Sequence, residues 1–387
     1  MASAAVRSCL FSRFFCRRYI HGPLLVLMTA LSMLLLSPTL SAASRVQAVE
    51  VVSGLAFPWS LVFLPDGEML VSERSGSLRR IVDGQLLPRP VRGVPKVAAG
   101  GQGGLLGLAL HPQFAENHWL YFAYAAAGEG GYSTHVGRGK YRDGVLSEVQ
   151  TIFRATPKVN TRHHYGGHLI FDRQGYLFLT LGDKGRRELA QDLRNHAGSV
   201  IRLHDDGRVP ADNPFVGQAG AAPEIWSYGH RNQQGAALHP QTGQLWTHEH
   251  GPQGGDEVNA IRAGANYGWP VITYGEEYGG GRVGDGLTAR TGMEQPLLAW
   301  VPSIAPSGMT FYTGNRYPGW QGNLLVGALK FQLLVRLGMQ DGKLVELERL
   351  LQGEIGRIRD VQQGPDGYVW LLNDEADGGL YRLETVQ

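Results

Sequence analysis

Two short clusters hold side chains able to do chemistry. "HHYGGH" at 163–168 offers three histidines among glycines, and "GDKG" at 182–185 offers a carboxylate, Asp183, in a turn. A histidine oriented by a carboxylate is a general-base pair, and an imidazole of ordinary pKa, near 6.5, abstracts protons around neutral pH. His164 and Asp183 stand 19 residues apart. The segment between them, "LIFDRQGYLFLTL", reads as a hairpin, which would return both flanks to one end. The alternative is that His163, His164 and His168 are polar loop residues.

A metal is the next option. His163, His164, His168, His248 and His250 could supply a transition-metal site, but their spacing matches no zinc motif. "HGPQGGDE" at 250–257 suggests a hard cation instead. Gly251 and Pro252 can present consecutive backbone carbonyls, and Asp256 and Glu257 add negative charge. The alternative there is a plain turn. Four cations follow: Arg231 in "GHRNQQG", Lys330 in "GALKF", and Arg357 and Arg359 in "GRIRD". Arg357 and Arg359 alternate along a strand, so they share a side and form a forked receptor for carboxylates. Each could equally be a solvated surface charge. "GGQGGLLG" at 100–107 lacks both the GxGxxG spacing and a following helix, which argues against a dinucleotide site.

These clusters need elements to carry them. One unit recurs: an apolar strand, a turn with Gly or Pro, an alternating strand, then a polar loop. It begins at Leu61, Leu169, Ala237 and Val361, with looser copies from Gly107 and Gly308. About six units over the chain, with no 3.6-period helix between them, predict an all-β, six-bladed β-propeller. "RRELAQDLRNHAG" is at most a short helix or loop. The 54 glycines among 387 residues, about twice the usual share of roughly 7%, suit many tight turns. The competing folds are a β-sandwich or two barrels. In a propeller the long loops gather at one end of the central channel, a natural place for a site.

The address is legible at the front. Arg7, Arg13, Arg17 and Arg18 precede an apolar run from Leu24 to Leu36, and "SAAS" at 41–44 suits a signal peptidase. Residues 1–43 therefore read as a secretory signal peptide, leaving one domain at 44–387 in the periplasm. The apolar run is short for a membrane span of about 20 residues. Cys9 and Cys16 both fall in the signal, so the mature chain would have no disulfide, thiolate metal site or cysteine nucleophile. Removing four arginines leaves 32 Lys and Arg against 34 acids, turning a net charge of +2 into −2. Nucleic acid is not the expected partner.

Nine segments in order, among them "GQGGLLGLALHP", "HHYGGHL", "LGDKGR", "YGHRNQQG", "HGPQGGDE", "LLVGALK" and "RIRDV", resemble the soluble quinoprotein glucose dehydrogenases, and more closely the shorter PQQ-dependent aldose sugar dehydrogenases. The resemblance spans the mature chain. It implies a six-bladed propeller using pyrroloquinoline quinone (PQQ) and calcium to oxidise aldoses at C1 to lactones, with electrons passed to an external acceptor. It implies His164 as catalytic base, Asp183 as its acidic neighbour and Gln102 near the sugar's reacting carbon. Arg231 and Asn232 would meet the quinone, Lys330, Arg357 and Arg359 would clamp its carboxylates, and the carbonyls of Gly251 and Pro252 would bind calcium.

The chain also departs from the larger enzymes. Only about 30 residues separate "NYGWP" from "PSIAPS". The missing insertions imply an open site, broad aldose use and a monomer. Glu188 stands where the larger enzymes carry a Gln. Tyr267 and Trp300 read either as pocket lining or as core. Two rival functions share the fold: a calcium-dependent lactonase, which would need several acids and amides converging on one metal, and a non-catalytic binding propeller, which would show gaps in the His164, Arg231, Lys330, Arg357 and Arg359 set.

Overall fold

Each of the six repeated units folds into one antiparallel sheet of four strands. A computed structural model describes residues 45–386, so the proposed signal segment lies outside the described residues. The blades span 58–86, 105–154, 169–228, 233–300, 306–350 and 358–385. The sixth takes its fourth strand from the other end of the domain: Val46–Leu55 pairs antiparallel with Gly378–Thr385, Val46 opposite Thr385 and Leu55 opposite Gly378. That pairing closes the ring and removes two exposed strand edges. Among the described residues helix is confined to Phe114–Asn117 and a 3₁₀ turn at Arg187–Gln191. Among the described residues no helix is long and apolar enough to cross a membrane.

Burial explains why several repeats carry a nearly continuous apolar strand. Strands Met69–Glu73, Leu245–Glu249, Leu324–Ala328 and Val369–Asn373 are buried at every position, because neighbouring blades cover both faces of each sheet. An outer strand such as Lys343–Leu350 has only Leu344 buried, its other positions being exposed or half-buried. The core therefore sits between blades, in clusters such as Leu325, Leu334, Ile358, Val361 and Leu371.

The inner strands carry a feature that places the site. Five of the six start with a register shift, between Pro58 and Ser60, Leu105 and Leu108, Gln233 and Gly235, Pro306 and Met309, and Ile358 and Asp360. A bulge disrupts the ladder, leaves backbone groups unpaired and re-aims the side chains within it. Neighbouring blades satisfy those groups. Ser72 Oγ donates to the Leu106 carbonyl at 2.6 Å and Thr180 Oγ1 to that of Gln233 at 3.0 Å. His248 Nε2 donates to the Ser307 carbonyl, and Ser307 Oγ to that of Ile358 at 2.7 Å. The Leu61 N–H donates to Asp360 Oδ2 at 2.8 Å, and the Gly107 N–H to the Gly167 carbonyl at 3.0 Å. These bonds join every blade to the next around the axis.

Ser307 is fully buried. Ser307→Ala leaves the Ile358 carbonyl without this donor and should cost about 2 kcal/mol. Urea denaturation of the ligand-free protein measures it; an unchanged midpoint would mean that water replaces the hydroxyl.

Candidate active site

The candidate residues gather on the face where the inner strands begin, although the 261–297 loop leaves its strand at the opposite end, where the Ile261 N–H meets the Leu245 carbonyl. In blade 3, His164 precedes the inner strand Leu169–Phe171, and Asp183 follows the next strand, Leu177–Thr180. The hairpin thus returns both to one end. His164 Nδ1 lies 2.6 Å from Asp183 Oδ1. The carboxylate also accepts from the Gly185 N–H at 2.7 Å and from the Trp269 indole at 2.8 Å. With Nδ1–H donated to Asp183, the free lone pair is on His164 Nε2. Gly182 is a glycine because a Cβ there would collide with the His164 carbonyl.

The same loop is tied to two other blades. The His164 N–H donates to Gln102 Oε1 at 2.7 Å, and the Gly166 N–H to Asn232 Oδ1 at 3.2 Å. The Asp183 N–H donates to the Arg231 carbonyl at 2.8 Å. Arg231 is buried between the Trp269 and Tyr278 rings, and its guanidinium donates to the His250 carbonyl at 3.1 Å and to Tyr278 Oη at 3.3 Å. Beneath it, Glu249 accepts from the Arg231 N–H at 2.5 Å and sits 2.9 Å from His230 Nδ1. Gln102, His164, Asp183, Arg231 and Asn232 thus form one group.

A second group comes from the bulges. Arg359 lies inside the bulge of blade 6 and Gln234 inside that of blade 4, and Arg359 Nη1 donates to Gln234 Oε1 at 2.8 Å. Arg359 Nη2 and Arg357 Nη2 both donate to Asp374 Oδ2, at 3.0 and 3.2 Å, while Arg74 Nη2 stands 3.3 Å from Asp374 Oδ1. The two arginines meet on one carboxylate, but not by strand alternation: Arg357 precedes the strand Ile358–Gln363, and Arg359 sits in its bulge. Arg359 is buried and Arg357 about two-fifths exposed.

The third group lines a cavity of about 680 Å³ with His250, Gly251, Pro252, Tyr274, Tyr278, Val301 and Lys330. Asp256 holds the turn: its carboxylate accepts from the Gly251 N–H at 2.9 Å, Ser303 Oγ at 2.8 Å and the Ala305 N–H at 2.7 Å. Among the described residues the Gly251 and Pro252 carbonyls accept no hydrogen bond, and Lys330 forms no ion pair. The histidines outside the dyad serve other ends. His248 and His250 give Nε2 to the Ser307 and Pro306 carbonyls, and burial pushes His250 down to about 3. No three His, Cys, Asp or Glu side chains converge on a metal site among the described residues.

Several roles were not legible in the sequence. Trp269, Asp374, Gln234 and Tyr278 have no local signal. Gln102 spends its carbonyl oxygen on the His164 backbone. Glu188 faces solvent and pairs with Arg186 at 2.7 Å. Tyr267 and Trp300 are core residues: Tyr267 stacks on His230 at 4.6 Å, and Trp300 donates to Glu346 at 3.1 Å.

A six-bladed propeller with a carboxylate-backed histidine, a buried guanidinium and further cations on one face is built to place a proton acceptor beside an anionic ligand. The comparisons agree: residues 55–382 match the model of the glucose/sorbosone dehydrogenase family, and the chain belongs to it. It is 44% identical over 354 residues to the aldose sugar dehydrogenase of Escherichia coli, covering 90% of this chain and 95% of that one. It is 27% identical to quinoprotein glucose dehydrogenase B of Acinetobacter calcoaceticus, with 91% of each chain covered. The crystal structure of the E. coli enzyme in its apo form superposes with a TM-score of 0.86 at 42% identity, over 88% of this chain and all of that one. The PQQ-bound aldose sugar dehydrogenase of Streptomyces coelicolor gives 0.73 at 29% identity, over 89% and 99%.

Burial lowers the His164 pKa below 6.5; Asp183 opposes that shift, and Arg231 and His163 add to it. Burial would raise Asp183, but the His164 imidazole, the Gly185 N–H and the Trp269 indole outweigh it and keep the carboxylate below its ordinary value. Burial thus favours the neutral form of the His164 ring, the form that accepts a proton. NMR titration of the ligand-free protein should place its midpoint below 6.5, and Asp183→Asn should lower it further by removing the opposing charge. A midpoint above 6.5 would mean that the Asp183 interaction outweighs burial.

Proposed function

We propose that this chain oxidises aldose sugars at C1 to lactones with PQQ and calcium, passing the electrons to an external acceptor. The observation that carries this reading is the 2.6 Å hydrogen bond of His164 to Asp183 beside Arg231, which donates to His250 on the cavity that Lys330 also lines, with Arg357 and Arg359 paired on Asp374. The donor sets suit both groups. Asn232 Nδ2 and Arg359 Nε are buried without a partner, which leaves donors for an oxygen-rich anion. The Gly251 and Pro252 carbonyls suit a hard cation.

Lys330, Arg357 and Arg359 would hold the three PQQ carboxylates, and Arg231 and Asn232 its quinone oxygens. When bound, PQQ supplies a two-electron acceptor and calcium polarises it as a Lewis acid. His164 Nε2 takes the proton of the anomeric hydroxyl. Asp183 keeps Nδ1–H aligned and stabilises the imidazolium that results. Loss of that proton and of the C1 hydride converts the aldose to a lactone. Arg231 supplies fixed positive charge where negative charge develops. The mature domain, 44–387, would act as a periplasmic monomer after removal of residues 1–43.

Dye reduction by the purified chain with a panel of aldoses tests this. Turnover should require both PQQ and calcium. His164→Gln should lower kcat about 10³-fold while PQQ still binds. Arg359→Ala should weaken PQQ binding roughly 30-fold, measured by calorimetry. Turnover without any quinone, or none with both additions, would overturn the proposal.

A further inference from the structure

Lys184 is a charged side chain that the chemistry above does not use, yet it is only 4% exposed. Its ammonium donates to the His163 carbonyl at 2.9 Å and lies 3.0 Å from the centroid of the Tyr165 ring, a close cation–π contact. It thus grips the residue before His164 and the residue after it. Its own backbone is fixed too, since Thr161 Oγ1 donates to the Lys184 carbonyl at 2.6 Å.

Backbone conformation shows why such a grip is needed. Between residues 149 and 304 only two non-glycine residues have positive φ: His164 at 48° and Lys184 at 58°. One is the proposed base; the other directly follows its carboxylate partner. A non-glycine residue persists in this region only where its surroundings over-determine it. Three contacts already hold the His164 loop: Gln102 on the His164 N–H, Asn232 on the Gly166 N–H, and Thr134 Oγ1 donating to the Tyr165 carbonyl at 2.8 Å. The His163 carbonyl is held by Lys184, and Gly166 and Gly167 beyond it are left-handed as well. Burial pushes the ammonium down to about 7, with Asp183 opposing. A lysine under that penalty is costly to keep as a mere spacer.

We propose that Lys184 is a positioning residue: by clamping the His163 carbonyl and the Tyr165 ring, it holds His164 in the left-handed conformation that sets its imidazole on Asp183. The proposal rests on His164 acting as the base, and its role is separate from cofactor binding. A displaced base loses rate steeply, because the reacting atoms must be held close to the attack geometry.

Lys184→Met keeps the aliphatic stem and removes the donor and the charge. It should lower kcat at least tenfold while KM for the aldose and Kd for PQQ stay within twofold. Lys184→Gln retains a donor for the His163 carbonyl and should recover at least a third of the wild-type kcat. A second readout needs neither cofactor nor turnover. The downfield Nδ1–H proton resonance of His164, assigned by its loss in His164→Gln, should broaden or vanish in the ligand-free Lys184→Met protein and persist in Lys184→Gln. If Lys184→Met does not fold, the Lys184→Gln protein decides: a sharp Nδ1–H resonance with kcat retained supports the clamp, and loss of both overturns it. Wild-type kcat and an intact resonance in Lys184→Met would also overturn it, as would equal losses in kcat and PQQ affinity. An inactive wild-type chain with PQQ and calcium would instead defeat the catalytic reading, and the resonance would still test the clamp.

Discussion

The inter-blade hydrogen bonds at the inner-strand bulges are the constraint on which the site depends. A bulge frees backbone groups in a place water reaches poorly, and an unpaired buried carbonyl is expensive. Here the solution is shared between neighbours: Ser72, Thr180, His248 and Ser307 each reach from one blade to a carbonyl of the next. The six inner strands are thereby locked in relative height. Loops that leave them on one face inherit that registration. This is how residues from blades 2, 3, 4 and 6 can be held within hydrogen-bonding distance although they are far apart in sequence.

Charge burial follows the same logic but has a different purpose. Asp374 is nearly buried and faces Arg359, Arg357 and Arg74 together. Arg359, Arg74 and Arg357 hold its pKa below the ordinary value against desolvation. Buried ion pairs are weak evidence for stability, since desolvation offsets much of the attraction. Three cations around one carboxylate also leave net positive charge. The arrangement leaves the arginines pre-ordered around one carboxylate. Gln234, reaching Arg359 from blade 4, ties that cluster across the ring.

The six repeats were legible because each is a strand, a tight turn and a second strand, and each falls in one blade. His164 and Asp183 were legible because one hairpin separates them, so local geometry alone brings their loops together. Arg357 and Arg359 were legible as a pair, but alternation was not the cause: Arg357 precedes the strand, and Asp374 joins it to Arg359 in the bulge. The partners that complete the site were not. Asp374 and Gln234 meet Arg359 only after the ring has closed and two bulges have re-aimed their side chains, and a bulge leaves no periodic trace in sequence. Trp269 reaches Asp183 across 86 residues. Aromatic residues near motifs were ambiguous for the same reason: Tyr267 and Trp300 turned inward to the core, whereas Tyr278 stands 72% exposed at the mouth beside Arg231.

The basicity of His164 is set by a three-way opposition. Burial and Arg231 favour the neutral ring, while Asp183 favours the charged one. Burial alone would push the imidazole's pKa down with nothing to oppose it. In an exposed loop Asp183 would pull it up without that burial. The fold supplies both conditions by putting the carboxylate under the imidazole and the Trp269 indole on its far oxygen, so that Asp183 stays ionised while enclosed. Arg231 is joined to Asp183 through its own carbonyl, which fixes its backbone relative to the His164–Asp183 pair. Both are thus tied to the backbone of two adjacent blades and not only through side-chain contacts.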